Sequence, residues 1–216
     1  MSLLHKMDRI VFIRHNFISF FLQSLLYKRR LKRSSSPVPP PRSIKENTVR
    51  FYGKKTNFQT FIETGTFLGD MILAVKNKFE KIYSIELSNK LHSRAKEYFK
   101  KNKHITCLQG DSGIELQKLL GKINNPCLFW LDAHYSGGIT AKGTLDTPIV
   151  KELEYIFNHP CEGHLILIDD ARFFVGKDGY PEISELESYV KKQKIDYTFF
   201  VKNDIIHIVP PAASES

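Results

Sequence analysis

Cysteine is scarce in this chain. Three occur in 216 residues, Cys107, Cys127 and Cys161, and none belongs to a CxxC pair. An odd, scattered set of this kind does not build a disulfide framework. Two of the three fall in predicted strands, so all are read as reduced core residues of a cytosol-like compartment. A long unbroken apolar run is also missing. Ile10 to Leu26 comes nearest, but Arg14, His15, Asn16 and Gln23 interrupt it, and a spanning helix needs ~20 mostly apolar residues. No small-residue cleavage site follows, which argues against a signal peptide. Acidic residues are nearly absent from the first fifty positions, with two Asp/Glu against eleven Lys/Arg, whereas residues 51–216 hold 21 of each. The net charge of +9 therefore belongs to a leader and not to the folded part. Such basicity says nothing about the fold, and no nucleic-acid partner is expected.

What is present divides into four parts. Residues 1–33 form a basic, partly apolar leader, read as an amphipathic helix that could meet a membrane surface or pack on the domain. Residues 34–43, rich in Ser and Pro, are a linker of extended polyproline type. Residues 44–210 form one domain of a size that supports a real core, and residues 211–216 are a tail. Within the domain, strand and helix patterns alternate. Strands are expected at Phe58–Glu63, Ile82–Glu86, Ile105–Gln109, Cys127–Leu131, Leu165–Ile168, Tyr197–Val201 and Ile205–Val209. Helices are expected at Ile44–Phe51, Leu68–Phe79, Ser88–Lys101, from Ser112 through Leu120, after Pro148, and at Pro181–Gln193. The nearly all-apolar run Cys127–Leu131 reads as a central strand covered on both faces. Alternation of this kind predicts an α/β fold: a mostly parallel seven-stranded sheet with an antiparallel last strand and helices on both faces.

Ligands of such sheets bind at the carboxyl ends of the strands. There the chain places Glu63, Glu86, Asp111, Asp132 and Asp169-Asp170, an acid at or just past the end of five consecutive strands. Glu63-Thr-Gly65-Thr66-Phe-Leu-Gly69 reads as strand, glycine turn and helix, where backbone comes close to a ligand and the helix start adds free N–H groups. Glu86 lies 23 residues beyond Glu63, a spacing that suits an acid holding ribose hydroxyls. Asp111 and Ser112 can face an adenine edge, cap a helix, or do both. Asp132, Asp169 and Asp170 would meet as three carboxylates, whose repulsion a hard cation such as Mg²⁺ would relieve. The connection Ala133–Thr147 is long enough to be functional. It holds His134 and Lys142 as candidate bases and Tyr135 as a candidate substrate contact. Arg172 could grip a substrate anion or pair with its acidic neighbours. His159-x-Cys161-x-x-His164 has zinc-ligand residue types but precedes a strand, so it lies at the opposite rim.

These residues together resemble the class I S-adenosylmethionine-dependent methyltransferases over about residues 58–209. The E-x-G-x-x-x-G spacing is similar to that of metal-dependent O-methyltransferases of the catechol and caffeoyl-CoA type. The strand-end acids are similar to those of the macrocin and cephalosporin group. The resemblance implies that Glu63 and the Gly65–Gly69 turn lie against the methionine part of S-adenosylmethionine. It implies Glu86 on the ribose, Asp111-Ser112 at the adenine, and Asp132, Asp169 and Asp170 as metal ligands. The lysine base of the catechol type is replaced here by Tyr135, so the resemblance does not supply the base, and His134 and Lys142 are the candidates for it. The expected activity is methyl transfer to a hydroxyl of a small polyhydroxylated or sugar-containing acceptor, assisted by Mg²⁺. A non-catalytic or nucleotide-sugar-binding Rossmann-like module is the alternative. A cytoplasmic protein, peripheral to a membrane through its leader, and a homo-oligomer fit the same sequence.

Overall fold

A computed structural model describes residues 25–27, 29, 38–132 and 147–214. Among these residues, seven strands make one sheet in the order β3-β2-β1-β4-β5-β7-β6. In chain order they are β1 Thr60–Thr64, β2 Lys81–Glu86, β3 Ile105–Gln109, β4 Cys127–Leu131, β5 Leu165–Ile168, β6 Thr198–Lys202 and β7 Ile205–Val209. The first five pair in parallel, and β7 is antiparallel to both of its neighbours. The helices are α1 Arg42–Lys55, α2 Asp70–Val75, α3 Asn89–Phe99, α4 Ser112–Leu120, α5 Ile149–Phe157, α6 Ile183–Gln193 and α7 Pro211–Ser214. No helix among the described residues is long and apolar enough to cross a membrane.

Side-chain alternation along each strand sorts the core into two layers. In β4, Cys127, Phe129 and Leu131 face a layer built with α4, α5 and α6. Leu128 and Trp130 face the opposite layer, built with α1, α2, α3 and α7. All five residues of β4 are buried, as a central parallel strand requires. Of the leader, residues 25–27 and 29 are helical, and Tyr27 is buried.

Several element bounds shift by one or two residues, residues 211–214 of the expected tail form α7, and two helices differ more from the sequence expectation. The leading helix is longer than Ile44–Phe51: it starts at Arg42, directly after Pro41 at the N-cap. The helix after the glycine turn is shorter than Leu68–Phe79, with six residues and Asp70 in its first turn. That first turn is already paired, because Arg42 forms an ion pair with Asp70. This helix runs for fewer than two turns. It stops at Val75 because Phe79 must turn back onto Phe61 in β1, with ring centroids 5.3 Å apart. The closing hairpin turns on Asn203 and Asp204, both with positive φ, 55° and 59°. This is the geometry that matches strand twist in a two-residue connection.

Candidate active site

The carboxyl ends of β1, β2, β4 and β5 form one rim, and the sheet ladder continues past them. Asp132 N–H donates to Thr64 O, and Asp169 N–H donates to Leu131 O, each at 3.0 Å. These bonds hold Asp132 and Asp169 side by side beyond neighbouring strands. A cleft of about 270 Å³ opens at this rim, between the glycine turn, α1 and the acids. Glu63, Gly65, Thr66, Trp130, Asp132 and Asp169 all line it.

The glycine turn bends through left-handed conformations at alternate residues: Gly65 at φ 85°, Phe67 at 47° and Gly69 at 78°. Phe67 pays a steric penalty for that conformation, and the turn aims its N–H at Glu86 Oε2, 2.8 Å away. Ser88 N–H donates to Glu86 Oε1 at 2.9 Å. Each oxygen of Glu86 thus holds one backbone donor and keeps acceptor capacity for another. Burial raises the Glu86 pKa against the pull of those two bonds.

Glu63 is buried, and its position opposite Ser84 in the β1–β2 register decides its partner. Ser84 Oγ donates to Glu63 Oε2 at 2.6 Å. Thr66 Oγ1 lies 2.5 Å from the same Ser84 hydroxyl. The turn, β2 and β1 are therefore tied by a Thr66–Ser84–Glu63 string. Burial pushes the Glu63 carboxyl well above the ordinary range. The Ser84 bond and Arg42 oppose this, while Asp132 and Glu86 add to it. A buried acid of this kind welcomes a cationic ligand, which favours its ionised form.

Asp111 caps α4, accepting from Gly113 N–H at 2.9 Å, which is the capping alternative. Ser112 is buried, and its hydroxyl acts on Glu152. His134, Tyr135 and Lys142 lie outside the described residues. Arg172 takes the ion-pair alternative: Nη1 donates to Asp170 Oδ1 at 2.7 Å and also pairs with Asp204. Its guanidinium stacks on Phe173, 4.5 Å from the ring centroid.

The three carboxylates do come together. Asp132, Asp169 and Asp170 each offer an oxygen within 4.8 Å of the others. Asp170 sits in a left-handed conformation, φ 56°. A residue not foreseen as part of the site stands among them. Lys45, on α1, places Nζ 2.5 Å from Asp169 Oδ2 and 2.9 Å from Asp170 Oδ1. Burial works against the Lys45 charge, but the facing carboxylates outweigh it and raise its pKa. Burial opposes the Asp170 charge as well, and Lys45 and Arg172 overcome it, so its pKa falls. Asp169 goes the other way, pushed up by burial and by Asp132. The oxygen donors suit a hard cation in kind, and the Lys45 ammonium and Arg172 guanidinium already engage Asp169 and Asp170.

Sequence reasoning missed Arg42, Lys45 and Glu46, which α1 brings to the cleft. The signal was there: with Val49 and Tyr52 they form one helical stripe, at spacings of three and four. The apolar end of that stripe is buried in the core, and its charged end continues into the site. Glu152, buried on α5, was also missed. Burial raises its carboxyl to about 7, against the Ser112 and Thr64 hydroxyls.

The His159, Cys161 and His164 group converges within 4.8 Å at the opposite rim. Its protons are spoken for. Cys127 N–H donates to His164 Nδ1 at 3.0 Å, so the proton of the neutral ring sits on Nε2, which lies 3.0 Å from His159 Nδ1. His159 Nε2 in turn reaches the Leu120 and Ile123 carbonyls, each at 3.1 Å. Burial drives His164 down to about 4, keeping it neutral. This is a structural hydrogen-bond string, and a metal would have to displace it.

No protein-family model matches the chain, and no curated protein sequence matches it. Solved structures do. An O-methyltransferase from Bacillus cereus in complex with SAH superimposes with a TM-score of 0.57 at 12% identity, covering 96% of this chain and 100% of that one. The O-methyltransferase TomG of Streptomyces achromogenes, involved in tomaymycin synthesis and solved with SAM, gives 0.57 at 11% identity, covering 97% and 100%. The methyltransferase domain of bacterial CtHen1 gives 0.50 at 14% identity, covering 76% and 97%. With its strand order, its antiparallel last strand and these neighbours, the chain has the fold of the class I S-adenosylmethionine-dependent methyltransferases.

Proposed function

We propose that this protein transfers a methyl group from S-adenosylmethionine to a hydroxyl oxygen of a small polyhydroxylated or sugar-containing acceptor. The observation that carries the reading is buried Glu63, in a cleft that also meets the acid rim, with Glu86 held by the backbone of the same glycine turn. Glu86 is poised to accept from two vicinal ribose hydroxyls, since both of its oxygens are fixed by backbone donors. Glu63 and Trp130, which line the cleft, give a sulfonium a counter-charge and an aromatic wall. When bound, S-adenosylmethionine supplies an electrophilic methyl: its C–S bond breaks as the bond to the acceptor oxygen forms, and the electron pair stays on sulfur. The protein's part is to hold the acceptor oxygen in line and to receive its proton. His134 or Lys142 would take that proton. The O-methyltransferase neighbours from Bacillus cereus and Streptomyces achromogenes support transfer to oxygen.

Calorimetry with S-adenosylhomocysteine tests the reading, with NAD as the control ligand. Micromolar S-adenosylhomocysteine binding without NAD binding is expected. NAD binding alone would move the chain to the nucleotide-binding alternative, and binding of neither would leave the cleft without a nucleoside. Anionic vesicles are the test for membrane contact by residues 1–33.

A further inference from the structure

The family resemblance puts a divalent cation at the acid trio, and the hydrogen bonding there leaves it little room. Asp170 Oδ1 accepts from Lys45 Nζ at 2.9 Å and from Arg172 Nη1 at 2.7 Å, which uses both of its lone pairs. Asp169 Oδ2 accepts from Lys45 at 2.5 Å, and Asp169 Oδ1 accepts from Asp170 N–H at 2.8 Å. A Mg²⁺ ion needs such oxygens at about 2.0–2.1 Å in near-octahedral array. It could take them only by expelling two organic cations or by sitting beside them, where like charges repel. Lys45 is carried on a 14-residue helix anchored in the core by Val49 and Tyr52, which fixes where its side chain starts.

We propose that the Lys45 ammonium takes the place of the divalent cation, so that this site works on its acceptor without a bound metal. Two of its three N–H donors go to Asp169 and Asp170. The third serves the acceptor oxygen in the cleft that Lys45 lines. There a fixed positive donor stabilises the charge that develops as the hydroxyl proton leaves. The ion competition stands on the geometry alone. Its chemical consequence rests on the methyl-transfer reading above.

The test is a Mn²⁺ titration of the full chain, followed by electron paramagnetic resonance and calorimetry, with S-adenosylhomocysteine titrated in parallel. The wild-type protein is expected to show no Mn²⁺ site tighter than about 1 mM. Lys45→Met, which keeps the stem and removes the charge, should bind Mn²⁺ at least about tenfold tighter, and adding Asp169→Asn should abolish the gain. One-to-one micromolar binding by the wild type that Asp169→Asn removes would overturn the proposal. So would a Lys45→Met protein of unchanged circular dichroism that binds Mn²⁺ no better. Should that variant not fold, the wild-type titration decides by itself. Failure of S-adenosylhomocysteine to bind would instead remove the methyl-donor reading and leave the ion competition untouched.

Discussion

Glu152 offers the sharpest quantitative test of how the rim is built. It is 1% exposed on α5, and burial lifts its carboxyl from the ordinary 4.5 to about 7. The unfolded chain therefore releases this proton near pH 4.5, while the folded chain holds it until about pH 7. Below the lower value both states are protonated and the contribution to stability is complete. As pH rises through the interval, the unfolded state gains by ionising and the folded state does not, so stability falls until pH passes the folded value. At 1.36 kcal/mol per pH unit, the loss between pH 5 and pH 8 is about 2–3 kcal/mol. Glu152→Gln removes the titration while keeping the side chain's shape and one acceptor oxygen. Urea unfolding of both proteins at pH 5 and pH 8 gives a double difference in which Glu63, Glu86 and Asp169, also raised, largely cancel. Asp111 and Asp132, whose charges act on Glu152, are common to both proteins. The wild type should lose those 2–3 kcal/mol relative to Glu152→Gln as pH rises. Profiles that stay parallel within about 0.5 kcal/mol would refute the claim that burial at this rim governs the carboxylates.

The glycine turn makes a structural prediction. A Cβ at Gly69, φ +78°, would meet Phe99 Cε2 at 2.8 Å, so Gly69→Ala should destabilise by about 2–4 kcal/mol in chemical denaturation. Gly121→Ala, in right-handed backbone with nothing nearer than 3.7 Å, should be neutral or stabilising by up to ~1 kcal/mol. Equal losses for the two would mean that turn geometry is not what Gly69 provides. Glu86→Gln replaces one acceptor oxygen by a donor facing backbone N–H. It should weaken S-adenosylhomocysteine binding roughly 10- to 100-fold by calorimetry, the range for hydrogen bonds to a charged group. An unchanged affinity would take Glu86 out of the nucleoside site.

The fold was legible in the sequence because strand and helix periodicities are local. The run Cys127–Leu131 announces a covered central strand through five apolar residues in a row, and Ile205–Val209 appears with its observed ends. Acids at strand ends were legible for the same reason: once a strand is located, so is the residue that leaves it. Glu63, Glu86, Asp132, Asp169 and Asp170 needed no tertiary information to be placed at one rim.

Their partners were another matter. Ser84 meets Glu63 because β1 and β2 pair with those two residues in register, and register is a property of the sheet, not of either strand. Lys45 meets Asp169 across 124 positions of sequence, and Arg172 meets Asp204 across 32. Side-chain periodicity puts Lys45 on an inward helical stripe, but where that stripe lands depends on how α1 packs over β1 and β4. Local chemistry thus determined which carboxylates gather at the rim. Long-range packing decided which cations neutralise them, because a charge taken out of water is compensated by whatever group the fold brings within hydrogen-bonding distance.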